Sequence, residues 1–397
     1  MSHALSKENS VSNGRKGGMR VLVATGASGG HIFPALGFID TLKERYKDID
    51  ILLVLPRSSL KLIIALEEGR GLPEKNIKNQ IENFGYKINY ISISAIKLSL
   101  DFKNMVNILN FFKGTFESIF ILLRFQPDIV VGFGSLVCIP LVLFAWAFRI
   151  KTLIHEQNVI PGLANRFLAK FTNGINVSFE QTKDYLKNNK KKIVTTGNPI
   201  RKQLIQIDKN KALDFFKFSD TKITILVMGG SLGSHKINLA FLKAISELAD
   251  RSKLQIIHLS GIGDYELLSS HYRDSNVNVR LFSFLKPIQY AYSVSDLVIS
   301  RGGATTISEI VYFRLPAIII PYPYAYKHQL SNAKILEENA CAIIIKDEEL
   351  DTDILRKTIE SLMNNPDKLE NMHSGYNHLP AYHAGDLMVK EVVSLKS

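Results

Sequence analysis

Val21-Leu22-Val23-Ala24-Thr25-Gly26-Ala27-Ser28-Gly29-Gly30-His31 is answered in the second half of the chain by Ile225-Leu226-Val227-Met228-Gly229-Gly230-Ser231-Leu232-Gly233-Ser234-His235. Each stretch is an aliphatic run that enters a Gly/Ser-rich turn and then a helix start. Aliphatic runs without polar alternation are strands covered on both faces, the mark of a parallel sheet. Around the first copy, Ile51–Leu55, Tyr90–Ile93, Ile129–Gly132, Thr152–His155 and Ile193–Thr196 read as further strands beside Val21–Thr25. Helix candidates such as Pro34–Tyr46 and Phe102–Phe125 lie between them. Around the second copy, Ile223–Met228 is followed by Gln255–Leu259, Val279–Phe282, Leu297–Ser300, Ala317–Ile320 and Ala342–Ile345. Strands alternating with helices predict parallel sheets with crossover helices.

The repeat makes this an α/β protein of two doubly wound, Rossmann-like domains, an organisation that suits 397 residues. Gly197-Asn198-Pro199 breaks the pattern and puts the join near Thr196–Lys202. The expected parts are a polar tail over 1–18, a first domain over 19–198 and a second over 199–379. Ligands of such sheets sit beyond the carboxyl ends of the strands, and two facing domains enclose a cleft.

With 46% hydrophobic and 22% charged residues, a disordered or fibrous chain is excluded. The longest apolar run, Leu136 to Phe148, is too short to span a bilayer and contains Pro140, so it reads as a buried helix of a soluble or peripheral protein. The tail before Met19 lacks the apolar core of a signal peptide. Cys138 and Cys341 stand alone among aliphatic neighbours, which gives neither a disulfide framework nor zinc spacing and suits a reducing cytoplasm. A net charge of +12 calls for an anionic partner: nucleic acid, a membrane surface or a phosphorylated substrate. Lys190-Lys191-Lys192 reads as a solvated loop.

Three strand-end stretches carry the candidate chemistry. In Gly26-Ala27-Ser28-Gly29-Gly30, glycines permit a tight turn and helix-start N–H groups attract phosphate. The loop does not fit G-x-G-x-x-G, and Pro56-Arg57-Ser58 stands where a dinucleotide site needs an acid after the second strand. Chain reversal alone also accounts for one such loop, but two of them favour phosphate or acceptor binding. His31 opens the helix, where a protonated imidazole is electrostatically disfavoured; it is either a neutral proton acceptor or a brace for the loop. His155-Glu156-Gln157-Asn158-Val159-Ile160-Pro161-Gly162-Leu163-Ala164-Asn165-Arg166 is a dense polar patch emerging from a buried strand. Glu156 and Asn158 there suit sugar hydroxyls or an attacking hydroxyl, or else cap the helix near Pro161. Ser300-Arg301-Gly302-Gly303-Ala304-Thr305-Thr306-Ile307-Ser308-Glu309 again runs from strand to helix. Its N–H groups suit a diphosphate, and Glu309 suits a ribose diol or simply the helix dipole. Asp48-Ile49-Asp50 and Asp351-Thr352-Asp353 resemble a metal-binding D-x-D, but the first precedes a strand and the second reads as a helix N-cap. No obligatory protein-held metal or other cofactor is expected.

These stretches resemble the MurG family of GT-B glycosyltransferases, the UDP-N-acetylglucosamine transferases that convert lipid I to lipid II in peptidoglycan synthesis. The resemblance runs from about Met19 to the C-terminus. Its signatures are His155-Glu156-Gln157-Asn158 with Pro161-Gly162-Leu163-Ala164-Asn165, Thr196-Gly197-Asn198-Pro199-Ile200-Arg201, Gly229-Gly230-Ser231, and the run from Asp296 through Glu309 to Asn332. It implies an N-terminal acceptor domain and a C-terminal nucleotide-sugar domain, with the last helix, about Gly385–Ser394 within 380–397, crossing back onto the first. It also implies donor contacts from Ser28, Gly29, Gly30, Asn158, Arg201, Ser231, Leu285, Ala304, Thr305, Thr306, Ile307, Ser308, Glu309 and Gln329. The partners implied are UDP-N-acetylglucosamine and the polyprenyl-linked acceptor lipid I, with a divalent cation at most as diphosphate counterion.

The chain departs from the family pattern at Ala27-Ser28, usually Gly-Thr; at Leu232, usually Gln; at Gly302, usually Ser; at His328, usually Gln; and at Ser135-Leu136, usually Gly-Tyr. The expected reaction is an inverting transfer in which His31, or behind it Glu156, takes the acceptor hydroxyl proton. The alternatives are a GT-B-related UDP-N-acetylglucosamine epimerase, which needs no acceptor, and a basic nucleic-acid-binding protein. The latter lacks any known module, so no nucleic-acid partner is expected.

The polyprenyl acceptor that the resemblance implies leads to the expectation of a peripheral protein at the cytoplasmic face of the cell (inner) membrane. Phe102, Met105, Val106, Leu109, Phe112, Phe116, Ile119, Phe120 and Leu123 form a helical stripe expected to pack on the sheet. Ile108, Phe111, Ile121 and Leu122 widen the stripe, and Lys97, Lys103, Lys113 and Arg124 flank it. That surplus is the expected contact with anionic lipid.

Overall fold

The computed structural model describes residues 18–57, 86–93, 102–230, 233–273, 275, 277–323, 328–379 and 383–396. The tail over 1–17, Lys97, Ser231 and Leu232 lie outside them, as do the side chains of Phe102, Lys103, Lys190 and Lys191.

The first sheet holds seven strands: β1 Met19–Ala24, β2 Ile49–Pro56, β3 Lys87–Ile91, β4 Ile129–Gly132, β5 Lys151–Glu156, β6 Gly174–Val177 and β7 Ile193–Thr195. Their order is β3-β2-β1-β4-β5-β6-β7, and every pairing is parallel. Helices α1 Gly29–Arg45, α2 Phe102–Phe125, α3 Cys138–Ala147 and α4 Leu163–Leu168 connect them. The second sheet repeats the scheme with β8 Ile223–Met228, β9 Leu254–Leu259, β10 Asn278–Phe282, β11 Leu297–Ser300, β12 Ala317–Ile319 and β13 Ala342–Ile344, ordered β10-β9-β8-β11-β12-β13 and again parallel. Its helices are α5 Lys209–Phe216, α6 His235–Ser246, α7 Tyr265–Arg273, α8 Ile288–Val294, α9 Ala304–Phe313, α10 His328–Glu338, α11 Thr352–Met363 and α12 Pro366–Gly375.

Both sheets are buried on two faces, as unbroken aliphatic strands demand. Val21 and Val23 of β1 join one core layer while Leu22 and Ala24 join the opposite one. In each sheet the strand order reverses between the first strand and its fourth partner, β1 beside β4 and β8 beside β11. That reversal opens a crevice at the carboxyl ends where ligands of such folds bind. The glycine-rich turns quoted above emerge at these two points.

The last helix, α13 Ala384–Lys396, leaves the second domain and packs on α1, β5 and β6 of the first. Met388, Val389 and Val392 are buried in the same core layer as Phe38 and Ile39. Each such side chain stabilises the contact by about 1.5–3 kcal/mol. Arg45 and Asp386 pair at 2.7 Å on its rim.

Three readings of the sequence need correction. Strand β6 was not foreseen: Gly-Ile-Asn-Val is four residues long and carries a polar side chain, yet all four residues are buried. Strand β3 lies earlier, at Lys87–Ile91 rather than Tyr90–Ile93. Most consequentially, α2 faces the other way. Met105, Leu109, Phe112, Phe116, Phe120 and Leu123 are 58–72% exposed, whereas Ile121 and Leu122 are buried and Phe111 packs on the core. The inner face is built around small residues. A Cβ at Gly114 would come within 2.4 Å of Ile93, and the buried Ser118 hydroxyl donates to the Gly114 carbonyl. Small residues let the helix axis approach the strand end, and the bulky side chains are turned outward. The helix is long and apolar enough to cross a bilayer by length and composition, but this inner face is spent on the first domain.

Candidate active site

The Gly-rich turns at the two strand-order reversals open onto one cleft of about 1440 Å³ between the domains. From the first domain it is lined by Ser28, Gly29, Gly30, His31 and Phe33; from the second by Gly229, Gly230, Leu285, Ala304, Thr305, Thr306, Glu309 and Gln329. Asn158 and Arg201 lie at the seam. The cleft therefore gathers most of the residues singled out in the sequence. Ser231 lies outside the described residues. Ile307 and Ser308 do not line the cleft: both are buried, and the Ser308 hydroxyl donates to the Ala304 carbonyl one turn back. They support α9 from within, which corrects their place among the contact residues.

Two helices aim their N-termini at this space, α1 after Ser28 and α9 after Gly303. First-turn N–H groups have no intrahelical acceptor, and the helix dipole adds partial positive charge. The two ends meet across the cleft, where the Thr305 hydroxyl donates to the Gly30 carbonyl at 3.4 Å. A Cβ at Gly302 would come within 2.5 Å of the Gln329 carbonyl oxygen, so glycine lets α10 start this close to the loop, and the serine usual in the family would need that helix start to shift. Ser135, at the β4 end of the same crevice, has φ +76. A left-handed conformation costs a side-chain-bearing residue roughly 1–2 kcal/mol, and this is the position where the resembling family has glycine.

Glu309 is buried, with side-chain exposure of 8%. Its Oε2 accepts from the Tyr292 hydroxyl at 2.7 Å and its Oε1 faces Arg201 Nη2 at 3.4 Å. Burial, and the charge of Glu309, push the Tyr292 phenol well above its ordinary pKa, so it remains a donor. Arg201 in turn stacks on Phe33 of α1, its guanidinium 3.9 Å from the ring centroid. Phe33, Arg201 and Glu309 thus bridge the domains. Gln329 has its amide oxygen occupied by the N–H groups of Gly302 and Tyr322. That orientation leaves its Nε2 as the group offered to a ligand.

Glu156 is corrected most sharply. It is 2% exposed and does not reach the cleft. Oε1 accepts from the backbone and side-chain nitrogens of Asn158, and Oε2 from Gly162 N and Asn165 Nδ2. A carboxylate holding four hydrogen bonds is a brace for the loop and not a second proton acceptor. It orients Asn158, whose Oδ1 also accepts from Asn332 Nδ2 across the domain seam. Asn332, fully buried, additionally holds Val159 N and the Gly302 carbonyl.

His31 keeps its place in the cleft, with Nδ1 3.0 Å from Gln157 Oε1. Neither Gln157 nor Tyr292 nor Asn332 was assigned a role from sequence. Gln157 and Asn332 sat inside quoted motifs without a distinguishing feature, and Tyr292 carries no local signal at all. Asp50 pairs with Lys87 and Asp351 caps α11 through Ile354 N, so both D-x-D runs are structural. No cluster of three or more metal-ligating side chains occurs among the described residues.

Comparison with known proteins agrees with this geometry. Residues 72–177 match the glycosyltransferase family 28 N-terminal domain and residues 224–388 the family's C-terminal domain. The UDP-N-acetylglucosamine–N-acetylmuramyl-(pentapeptide) pyrophosphoryl-undecaprenol N-acetylglucosamine transferase of Desulforamulus reducens is 36% identical over 361 residues, covering 89% of this chain and 92% of that protein. The transferase of the same name from Thermodesulfovibrio yellowstonii is 35% identical over 380 residues, covering 95% and 99%. The crystal structure of Acinetobacter baumannii MurG superposes with a TM-score of 0.73 at 24% identity, over 95% of this chain and all of that one, and so shares the GT-B fold.

Proposed function

The chain belongs to the family of UDP-N-acetylglucosamine–N-acetylmuramyl-(pentapeptide) pyrophosphoryl-undecaprenol N-acetylglucosamine transferases, and from that premise we infer the reaction and the part each residue takes in it. The enzyme is an inverting glycosyltransferase. It moves N-acetylglucosamine from UDP-N-acetylglucosamine to the 4-hydroxyl of the muramyl unit of lipid I, giving lipid II. The observation that carries this reading is the meeting of two glycine-rich helix starts, one per domain, on a single cleft that also holds His31 and Glu309.

The acceptor oxygen attacks the anomeric carbon from the face opposite the diphosphate. As the new C–O bond forms, the bond to the diphosphate breaks, and its electron pair leaves with UDP. Positive charge grows on the sugar ring and negative charge on the leaving oxygens. The first-turn N–H groups of α9, backed by those of α1 and by Arg201, meet that negative charge with preorganised donors. Glu309 accepts from the ribose hydroxyls; the Tyr292 bond fixes its orientation without consuming both lone pairs of either oxygen. Gln329 and Asn158 donate to the sugar. The hydroxyl proton passes to His31 Nε2. A divalent cation, where present, acts as a counterion to the diphosphate.

The exposed face of α2 serves the acceptor's lipid chain. Beside it, α3 ends in Trp146 and Phe148, each 44% exposed, and α4 shows Leu163 and Phe167. Exposed Lys113 and Arg124 lie on α2 itself. Large apolar side chains with interspersed cations suit peripheral binding to an anionic membrane surface on the cytoplasmic side. The net basic charge finds its partner there and in the diphosphates, with nucleic acid not required.

The deciding experiment is incubation with UDP-N-acetylglucosamine, with and without a lipid I analogue, scored by UDP release. Acceptor-dependent release is expected. Isomerisation of the nucleotide sugar without acceptor would replace the transferase reading with the epimerase one.

A further inference from the structure

A continuous run of hydrogen bonds leads from the interdomain linker to His31. His155 Nε2 lies 2.9 Å from the carbonyl oxygen of Gly197. Gln157 Nε2 lies 3.1 Å from His155 Nδ1 and 3.1 Å from the His155 carbonyl oxygen. Gln157 Oε1 lies 3.0 Å from His31 Nδ1. His155 and Gln157 are 0% and 1% exposed, so water does not substitute for any of these partners.

The proton positions follow from chemistry alone. A carbonyl oxygen only accepts, so His155 Nε2 must carry a hydrogen. Burial lowers the His155 pKa to about 4, against the opposing pull of the Gly197 carbonyl. The ring is therefore neutral, and its Nδ1 holds a lone pair. The group facing that lone pair must donate, which makes it the amide nitrogen of Gln157. The second hydrogen of the same nitrogen goes to the His155 carbonyl, fixing the amide twice over. Gln157 Oε1 then faces His31 and can only accept. His31 Nδ1 must carry the hydrogen.

We infer that Gln157, oriented by His155, locks His31 in the Nδ1–H tautomer and thereby presents a bare Nε2 to the acceptor hydroxyl. This rests on His31 being the proton acceptor, and it makes Gln157 and His155 positioning residues. Nε2 has no hydrogen-bond partner among the described residues. The ring is held edge-on as well: a Cβ at Gly26 would come within 3.1 Å of His31 Cδ2, and one at Gly134, where φ is +83, within 3.2 Å of Cε1. Glycine at both places lets the two loops close on the imidazole.

The test uses the full chain with ¹⁵N-labelled histidine imidazoles, His31 being assigned by its loss in His31→Gln. At a pH where the ring is neutral, wild-type His31 is expected to show a protonated Nδ1 and a bare Nε2, and His155 the reverse. In Gln157→Leu the His31 signals should move to an average of both tautomers. Its kcat should fall roughly ten- to a hundredfold, as when an orienting partner is taken from a functional histidine, with KM for UDP-N-acetylglucosamine unchanged. A wild-type His31 with a bare Nδ1 overturns the proposal without recourse to any variant, as does an unshifted tautomer in Gln157→Leu. If His31→Ala instead retains full activity, the assignment of the base fails while the tautomer signature still stands on its own.

Discussion

Tyr292 donates its phenolic hydrogen to Glu309 at 2.7 Å from beneath the cleft floor, stacked on Phe313 with ring centroids 4.9 Å apart. The phenol leaves one carboxylate oxygen anchored and the other turned toward Arg201 and the cleft.

Glu309→Ala should lower kcat/KM for the donor roughly ten- to a hundredfold, since charge-assisted hydrogen bonds of about 1.5–3 kcal/mol are lost. Tyr292→Phe should raise KM for UDP-N-acetylglucosamine by a smaller factor and leave kcat nearly intact, because only the orientation of Glu309 is loosened. Steady-state kinetics and UDP binding by calorimetry check both. Unchanged UDP affinity and kcat/KM in Glu309→Ala would reduce the residue to a structural acid.

His31→Ala should reduce kcat by about 10²–10⁴ while donor affinity is kept. Circular dichroism establishes that the variant is folded, and single-turnover transfer measures the step itself. A folded variant near full activity would remove His31 from proton transfer, and Glu156, committed to the loop, would not take its place.

Buried neutral histidines make the fold sensitive to acid. The pKa of His155 is lowered to about 4 and that of His258 to about 3, each by burial. Below about pH 6.5 the unfolded chain binds protons that the folded chain refuses, so stability falls as pH drops through that value. The loss ends near pH 4 for His155 and near pH 3 for His258. At pH 5 each should cost about 2 kcal/mol. One histidine lies in each domain, so urea midpoints of both domains should shift between pH 7.5 and pH 5. A pH-independent midpoint in either domain contradicts the prediction for its histidine.

The outward face of α2 should bind vesicles containing anionic lipid at low salt and release them partly at high salt. Phe112→Ser with Phe116→Ser should remove the apolar component. Lys113→Glu should weaken binding by about 2 kcal/mol, one for the charge lost and one for the charge gained, at low salt only. Co-sedimentation measures all three proteins. Equal binding by all of them at both salts would exclude this face.

The difference between what the sequence disclosed and what it withheld is clearest on α2. Its period-3.6 stripe was plain from Met105 to Leu123, but periodicity gives the stripe's existence and not the side that meets the sheet. Gly114 and Ser118 decided that, through a close approach to Ile93 that is a matter of three-dimensional fit. The doubly wound architecture was legible because aliphatic strands and Gly-rich turns are local signals repeated twice. Strand β6 was not, since four residues with an asparagine among them carry too little pattern. Within the site, the loops declared themselves, as did Glu309 and His31. What converges on them from afar did not: Tyr292 lies 17 residues from Glu309 and Gln157 lies 126 residues from His31. Glu156 was misread for the same reason, because a carboxylate's availability depends on the neighbours that surround it.

The crossing of α13 onto the first domain imposes an order on biosynthesis. Phe38, Ile39 and Leu153 share their core layer with Met388, Val389 and Val392, which leave the ribosome only after the whole second domain. At about 5–20 residues per second, roughly 10–40 s separate the emergence of β7 from that of α13. Through that interval the amino-terminal half presents an uncovered greasy seam. A premature stop before Ala384 should therefore yield a protein with both sheets encoded but the first left unsealed.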